Sequence, residues 1–276
     1  MKTSDVRICI LRIEGTNCEE ESYQCLRRLG ARPEKVHLKQ LTGTDVMHEE
    51  RRSLSDYQML LLPGGFSSGD YVRAGAIFAA RMKSRLSDDL RDFVRSGKPV
   101  LGICNGFQIL VETGLLPAMS GTMSEIPEVV LGTNDSARFE CRPTLLKNVN
   151  RGNCVFTTRI PGDKISSIPS AHAEGKLMFP IGSEKQILKE LEDNDQMVFK
   201  YVDTEGDLAG YPWCPNGSTD NLAGICNRDG NVFGMMPHPE RVFFRFTHAD
   251  WTRSLDGPGD GRAVFESVLA YISKKL

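Results

Sequence analysis

The chain has 276 residues, a formal net charge of -2, 40% hydrophobic and 25% charged residues; this is ordinary globular composition, with enough chain for a large core in one or two domains. So balanced a charge gives no reason to expect nucleic acid as a partner, and no apolar run reaches the length of a membrane span. Eight cysteines, at positions 9, 18, 25, 104, 141, 154, 214 and 226, never fall at Cys-x-x-Cys spacing, so zinc ribbons and thioredoxin motifs are disfavoured and free thiols in a cytoplasmic protein are the simplest expectation.

Met1 to Arg7 carries no secretory apolar segment and leads into a β-branched strand pattern, Val6 to Ile13. Asn17 then precedes Glu19, Glu20 and Glu21, which suit the positive end of a helix. Cys18, Ser22, Cys25, Leu26 and Leu29 form one face of it, Gly30 stops it, and Cys18 and Cys25 read as core packing. With a short strand near Lys35 to Leu38, this β-α-β start predicts a parallel sheet with right-handed crossovers.

A strand at Tyr57 to Leu62 ends in Pro63-Gly64-Gly65-Phe66. Glycines at the carboxyl end of a parallel strand let a ligand approach backbone N–H groups, although a plain strand-to-helix turn has the same composition. Helical patterns follow at Tyr71 to Met82 and at Leu86 to Arg95. An apolar run from Pro99 to Ile103 then meets Gly102-Ile-Cys104-Asn-Gly106, and Phe107, Leu110 and Val111 make a helical stripe ended by Gly114. Strand, tight turn and helix is the geometry of a nucleophile elbow, whose helix favours thiolate at its first turn. The plainer alternative for Cys104 is an inert buried thiol.

Beyond Gly114 strands are expected near Glu128 to Leu131, Arg138 to Leu146, Asn153 to Thr158 and Met197 to Val202, with a charged helix at Glu184 to Glu192. Asp229-Gly230 signals a hairpin between Leu222 to Cys226 and Asn231 to Met236. It ends in Pro237-His238-Pro239-Glu240, where residues two apart in extended chain project to one side, so that a carboxylate can orient an imidazole. Thr247 to Arg262 reads as a Gly- and Asp-rich loop and Ala263 to Ile272 as a closing amphipathic helix. A nucleophile, a base and an orienting acid are then Cys104, His238 and Glu240.

Pro-Gly-Gly, Gly-x-Cys-x-Gly-x-Gln and Pro-His-Pro-Glu, in this order, resemble the class I (triad-type) glutamine amidotransferases. Within them the chain is most similar to the family of glutaminase components of phosphoribosylformylglycinamidine synthase, which act in purine biosynthesis. The likeness rests on Gly15-Thr-Asn-Cys18, Pro63 to Tyr71 with Arg73-Ala-Gly75, Gly102 to Gln108, Asn134 with Arg138 to Arg142, Ala171-His-Ala-Glu-Gly175, Asn216-Gly-Ser218 and Gly234 to Arg241, spanning nearly the whole chain. Arg12-Ile13-Glu14-Gly15 and Ala173 depart from the family pattern, and extra residues are expected around 181–195 and 247–260. The resemblance implies a single domain over 1–276, built as a doubly wound, mostly parallel α/β sheet (flavodoxin-like) with a few added antiparallel strands.

It further implies that Cys104 attacks the side-chain amide of glutamine to form a thioester, with His238 moving the proton and Glu240 orienting His238. Backbone N–H groups of Gly65 and Asn105 make the oxyanion hole, Gln108 and Phe66 contact substrate, and no metal is held. His172 and Glu174 line the partner-facing side; His37, His48 and His248 lie at the surface. The implied partners are glutamine, a separate synthase subunit that holds ATP and magnesium, and a small accessory subunit; this chain itself carries no cofactor, nucleic acid or membrane. Three other readings stay open: a glutaminase feeding a different synthase, a γ-glutamyl hydrolase without ammonia transfer, and a non-enzymatic Cys-bearing chaperone or redox sensor on the same sheet.

Overall fold

The computed structural model describes residues 1–162, 164–253 and 256–276. Arg7–Arg12 (β1) leads through Glu19–Arg28 (α1) to Arg32–His37 (β2) and Leu38–Thr42 (α2). Met59–Leu62 (β3), Ala76–Arg95 (α3), Val100–Ile103 (β4) and Asn105–Thr113 (α4) follow. Then come Val130–Gly132 (β5), Glu140–Asn148 (β6), Ile165–His172 (β7), Lys176–Met178 (β8), Glu184–Asp193 (α5) and Met197–Val202 (β9). Leu222–Cys226 (β10), Val232–Met235 (β11) and Arg262–Lys275 (α6) complete the order.

One nine-stranded sheet runs β2-β1-β3-β4-β11-β10-β9-β6-β7. Pairs among β2, β1, β3, β4 and β11 are parallel, and those from β11 to β7 are antiparallel. β5 and β8 form a separate antiparallel pair. The parallel strands read as unbroken apolar runs because helices cover both faces: α1 packs with α6, whereas α3 packs with α2 and α4. The chain moves from β1 outward to β2 and returns across β1 to β3, so the strand order reverses between β1 and β3. Ligands in open α/β sheets bind beyond the carboxyl ends of the strands at such a reversal.

Several expectations are corrected. Residues 71–95 hold one helix, α3, beginning only after Gly75 in the left-handed region (φ 78°). No strand forms at 153–158: Asn150 Oδ1 accepts the N–H groups of Gly152 and Cys154, and Asp195 accepts those of Arg151 and Asn153, curling the segment into turns. α1 is capped at Cys18, not Asn17. Of the 247–262 loop, residues 254 and 255 lie outside the described residues; a short 3-10 turn spans Trp251–Arg253 and α6 begins at Arg262. The expected additional stretch at 181–195 is mostly α5.

Candidate active site

Cys104 stands between β4 and α4 with φ 52° and ψ -106°, a conformation that costs a non-glycine residue free energy. Packing holds it there. Its N–H donates to Met235 O at 2.8 Å, and its carbonyl accepts the Gln108 N–H at 3.1 Å. A Cβ on Gly106 would stand 1.9 Å from Leu62 O, and one on Gly102 2.5 Å from Gly106 O, so the elbow can close only with glycine at both positions. The sulfur sits 3.6 Å from Ala171 O on β7.

His238 follows β11, the neighbour of β4 in the sheet. Its N–H donates to Pro169 O at 2.8 Å, so β7 is a rail that holds His238 by one carbonyl and Cys104 by another two residues on. His238 Nδ1 and Glu240 Oε1 are 2.6 Å apart with both side chains buried. The pairing does not come from an extended chain, as the spacing suggested. His238 caps a 3-10 turn, Pro239–Val242, and that turn swings Glu240 back beneath the ring. Cys25 on α1 donates its thiol to Glu240 O at 3.6 Å, and burial pushes that thiol well above its usual range.

Burial alone would lower the pKa of His238, but Glu240, and then Cys104, outweigh it and hold the imidazole well above its ordinary value. One ring N–H is committed to Glu240. Cys104 (5% exposed) and His238 (1%) are nearly closed off from water, which strengthens every charge interaction between them.

The loops after β1 and β3 interlock at the β1/β3 reversal. Gly64 O accepts the N–H groups of Asn17 and Cys18, Phe66 N–H donates to Gly15 O, and Ser67 N–H donates to Asn105 Oδ1. Because Gly64 O faces the 15–18 loop, the Gly65 N–H of the same peptide faces the other way. Among the described residues it has no partner, unlike those of Phe66 and Ser67. Gly65 has φ 146°, and a Cβ there would lie 2.8 Å from Asn17 N. The Asn105 N–H lies at the first turn of α4, beside Cys104.

Gln108 is buried, not an exposed helix amide: it donates to Glu174 O and accepts from Asn105 Nδ2 at 2.9 Å. Phe66 is 47% exposed and lies 6.2 Å from the ring of Phe139, at the mouth. His172 is buried against Asn134 Oδ1, with its pKa pushed down to about 3 by burial and by the charge of His238; it does not line an outer surface. His48 is exposed and His37 caps α2, but His248 is buried and accepts the Asp260 N–H at 3.0 Å.

Two features were missed. Asp70 accepts from Asn105 Nδ2 at 3.3 Å and has its carboxyl pushed up to about 6 by burial and by the nearby Glu174 charge. Asp70 thus lies beside the residue that follows the nucleophile and feels the Glu174 carboxylate, which the Ala171 to Gly175 motif had already singled out; Gly69-Asp70 at the end of the Pro-Gly-Gly loop was the only signal for Asp70. Cys18 belongs to the buried face of α1, yet its sulfur also reaches the triad: Arg241 donates to it at 3.3 Å, and it is one of three ligand atoms with His238 and Glu240 that lie within 4.8 Å of one another. Helical periodicity could place it inside but could not show what it touches.

The model of the CobB/CobQ-like glutamine amidotransferase domain matches residues 5–272. A PurQ subunit of phosphoribosylformylglycinamidine synthase from Archaeoglobus fulgidus is 51% identical over 99% of this chain and 100% of its own length. The corresponding subunit from Picrophilus torridus is 43% identical over 94% of this chain and 96% of its own. Among solved structures, a chain of PurLQS from Thermotoga maritima superposes with a TM-score of 0.70 at 32% identity, covering 97% of this chain and 99% of that one. An elbow cysteine, a buried imidazole–carboxylate pair and full-length similarity agree, and the chain belongs to the CobB/CobQ-like glutamine amidotransferases and, among them, to the PurQ subunits of phosphoribosylformylglycinamidine synthase.

Proposed function

We propose that this chain is the glutaminase subunit of a phosphoribosylformylglycinamidine synthase, working through Cys104, His238 and Glu240. The observation that carries the chemistry is the buried His238–Glu240 pair beside a cysteine held at positive φ. The Cys104 thiolate attacks the side-chain amide carbon of glutamine. The oxyanion that forms takes hydrogen bonds from the Gly65 and Asn105 N–H groups. As the C–N bond breaks, the His238 imidazolium gives its proton to the departing nitrogen, releasing ammonia and leaving a γ-glutamyl thioester. Neutral His238 then takes a proton from water as it attacks the thioester, and glutamate departs. Glu240 holds the ring and its charge throughout.

Phe66 borders the substrate at the mouth, and Gln108 keeps one amide proton and one carbonyl lone pair for its amino-acid end. Asp70 and Glu174 are a counter-charge for the α-ammonium group. The ammonia passes to an ATP- and magnesium-dependent synthase subunit that aminates formylglycinamide ribonucleotide, with a small accessory subunit completing a cytoplasmic assembly. The T. maritima PurLQS match supports that assembly; among the described residues no helix is long and apolar enough to cross a membrane. The test reconstitutes this chain with its synthase and compares two nitrogen sources. Cys104→Ala should abolish product formation from glutamine and leave that from ammonium salts intact. Normal glutamine use by the variant would overturn the assignment.

A further inference from the structure

We propose that Cys18, His238 and Glu240 form an inhibitory binding site for a thiophilic divalent cation, of which zinc fits the donor set best. Thiolate, imidazole and carboxylate are the ligands zinc prefers. Among the described residues this is the one such trio, its three ligand atoms lying within 4.8 Å of one another. Any triangle no larger than that has a point within about 2.8 Å of each atom, so shifts of about 0.5–0.8 Å reach zinc's usual 2.0–2.3 Å bonds. All three residues are buried, at 2%, 1% and 4% exposure.

A second observation points to a ligand. Oε2 of Glu240 is buried with no hydrogen-bond partner, so the carboxylate has polar capacity that the protein does not fill. Arg241 donates to the Cys18 sulfur at 3.3 Å, and the thiol in turn donates to Asn17 Oδ1 at 3.8 Å. A thiolate can accept the Arg241 hydrogen bond and ligate a metal together; the guanidinium charge opposes the cation and limits its affinity.

Binding is an exchange of cations without oxidation. Zinc replaces the Cys18 thiol proton and the proton that links His238 to Glu240, and both go to solvent. With the ion in place His238 can neither give nor take a proton, so glutamine hydrolysis stops. That consequence rests on the proposed role of His238, whereas the binding itself does not.

The test uses the full chain and zinc itself. Zinc is titrated against a chromophoric chelator, and cobalt is added in parallel for its thiolate charge-transfer band. Wild type, Cys18→Ser, Cys18→Ala and Cys104→Ala are compared, with thermal melts confirming that each folds. One zinc should bind per chain. Both Cys18 variants should bind it at least about tenfold more weakly and lose the cobalt–sulfur band, while Cys104→Ala keeps both. In the reconstituted complex, zinc should inhibit wild-type glutaminase at concentrations that leave the residual rate of Cys18→Ser unaffected. Absence of stoichiometric binding, or loss of binding and band in Cys104→Ala with both Cys18 variants unchanged, overturns the proposal. If the metal-free complex hydrolyses no glutamine, the functional reading fails while the binding arms still decide the site.

Discussion

Gly64→Ala tests how closely the site depends on the position of the imidazole. A Cβ there would stand 2.7 Å from His238 Cε1 and 3.3 Å from Cys18 Sγ, where ordinary contact begins at 3.4 Å. Gly64 does not have positive φ, so alanine strains no backbone and acts through that contact. The ring must recede by about 0.7 Å, from 2.7 to 3.4 Å. Since a misplacement of about 1 Å costs roughly 10²-fold, kcat for glutamine should fall about 10- to 100-fold. KM should change less, because Gly64 faces the base and not the mouth. Overpacking costs typically 1–3 kcal/mol, which lowers the melting temperature by roughly 2–10 °C for a chain of this size. The assay is steady-state glutamate release by the reconstituted complex, with ammonia-dependent synthesis as control. A kcat within about twofold of wild type, in a variant whose melting point has dropped, would refute the reasoning by showing that the ring tolerates displacement.

Glu240→Gln should weaken glutamine hydrolysis less than His238→Ala, and the double variant should match His238→Ala alone, since groups acting as a unit are non-additive; fully additive losses in glutaminase rate would place Glu240 outside the unit. Because His238 is raised above its ordinary pKa, the pair's stabilisation is complete below about pH 6.5 and is lost as pH rises through the raised value. The stability gap between wild type and Glu240→Gln should therefore narrow on the alkaline side, as urea melts at several pH values will show. Asp70→Asn should raise KM for glutamine about tenfold with a smaller change in kcat. The carboxyl of Asp70 ionises near 6, so wild-type KM should fall as pH rises through about 6, and the variant should lose that inflection; an unchanged KM profile would remove Asp70 from substrate binding.

Much of this site is written locally. Gly102-Ile-Cys-Asn-Gly106 encodes its own strand, turn and helix, and Asp229-Gly230 its own hairpin, so Cys104 and the approach to His238 were legible. What local pattern could not supply is which segment lies across from which. Cys18 shares a buried helical face with Ser22 and Cys25 and was read as packing; only the closure of the 15–18 loop on Gly64 brings its sulfur to His238. The strand expected at 153–158 failed because Asn150 and a distant residue, Asp195, take its N–H groups. His238 and Glu240 were paired correctly for the wrong reason, since a 3-10 turn and not extended chain joins them.

The most direct test of the account is where a glutamine-mimicking diazo-ketone attaches. Cys104 and Cys18 both lie by His238, but only Cys104 stands at the elbow, where β4 turns into the first residue of α4. Peptide mapping of the labelled complex should find the adduct on Cys104, with the other seven cysteines essentially unmodified. An adduct mainly on Cys18, or none that tracks loss of glutaminase activity, would contradict Cys104 as the nucleophile.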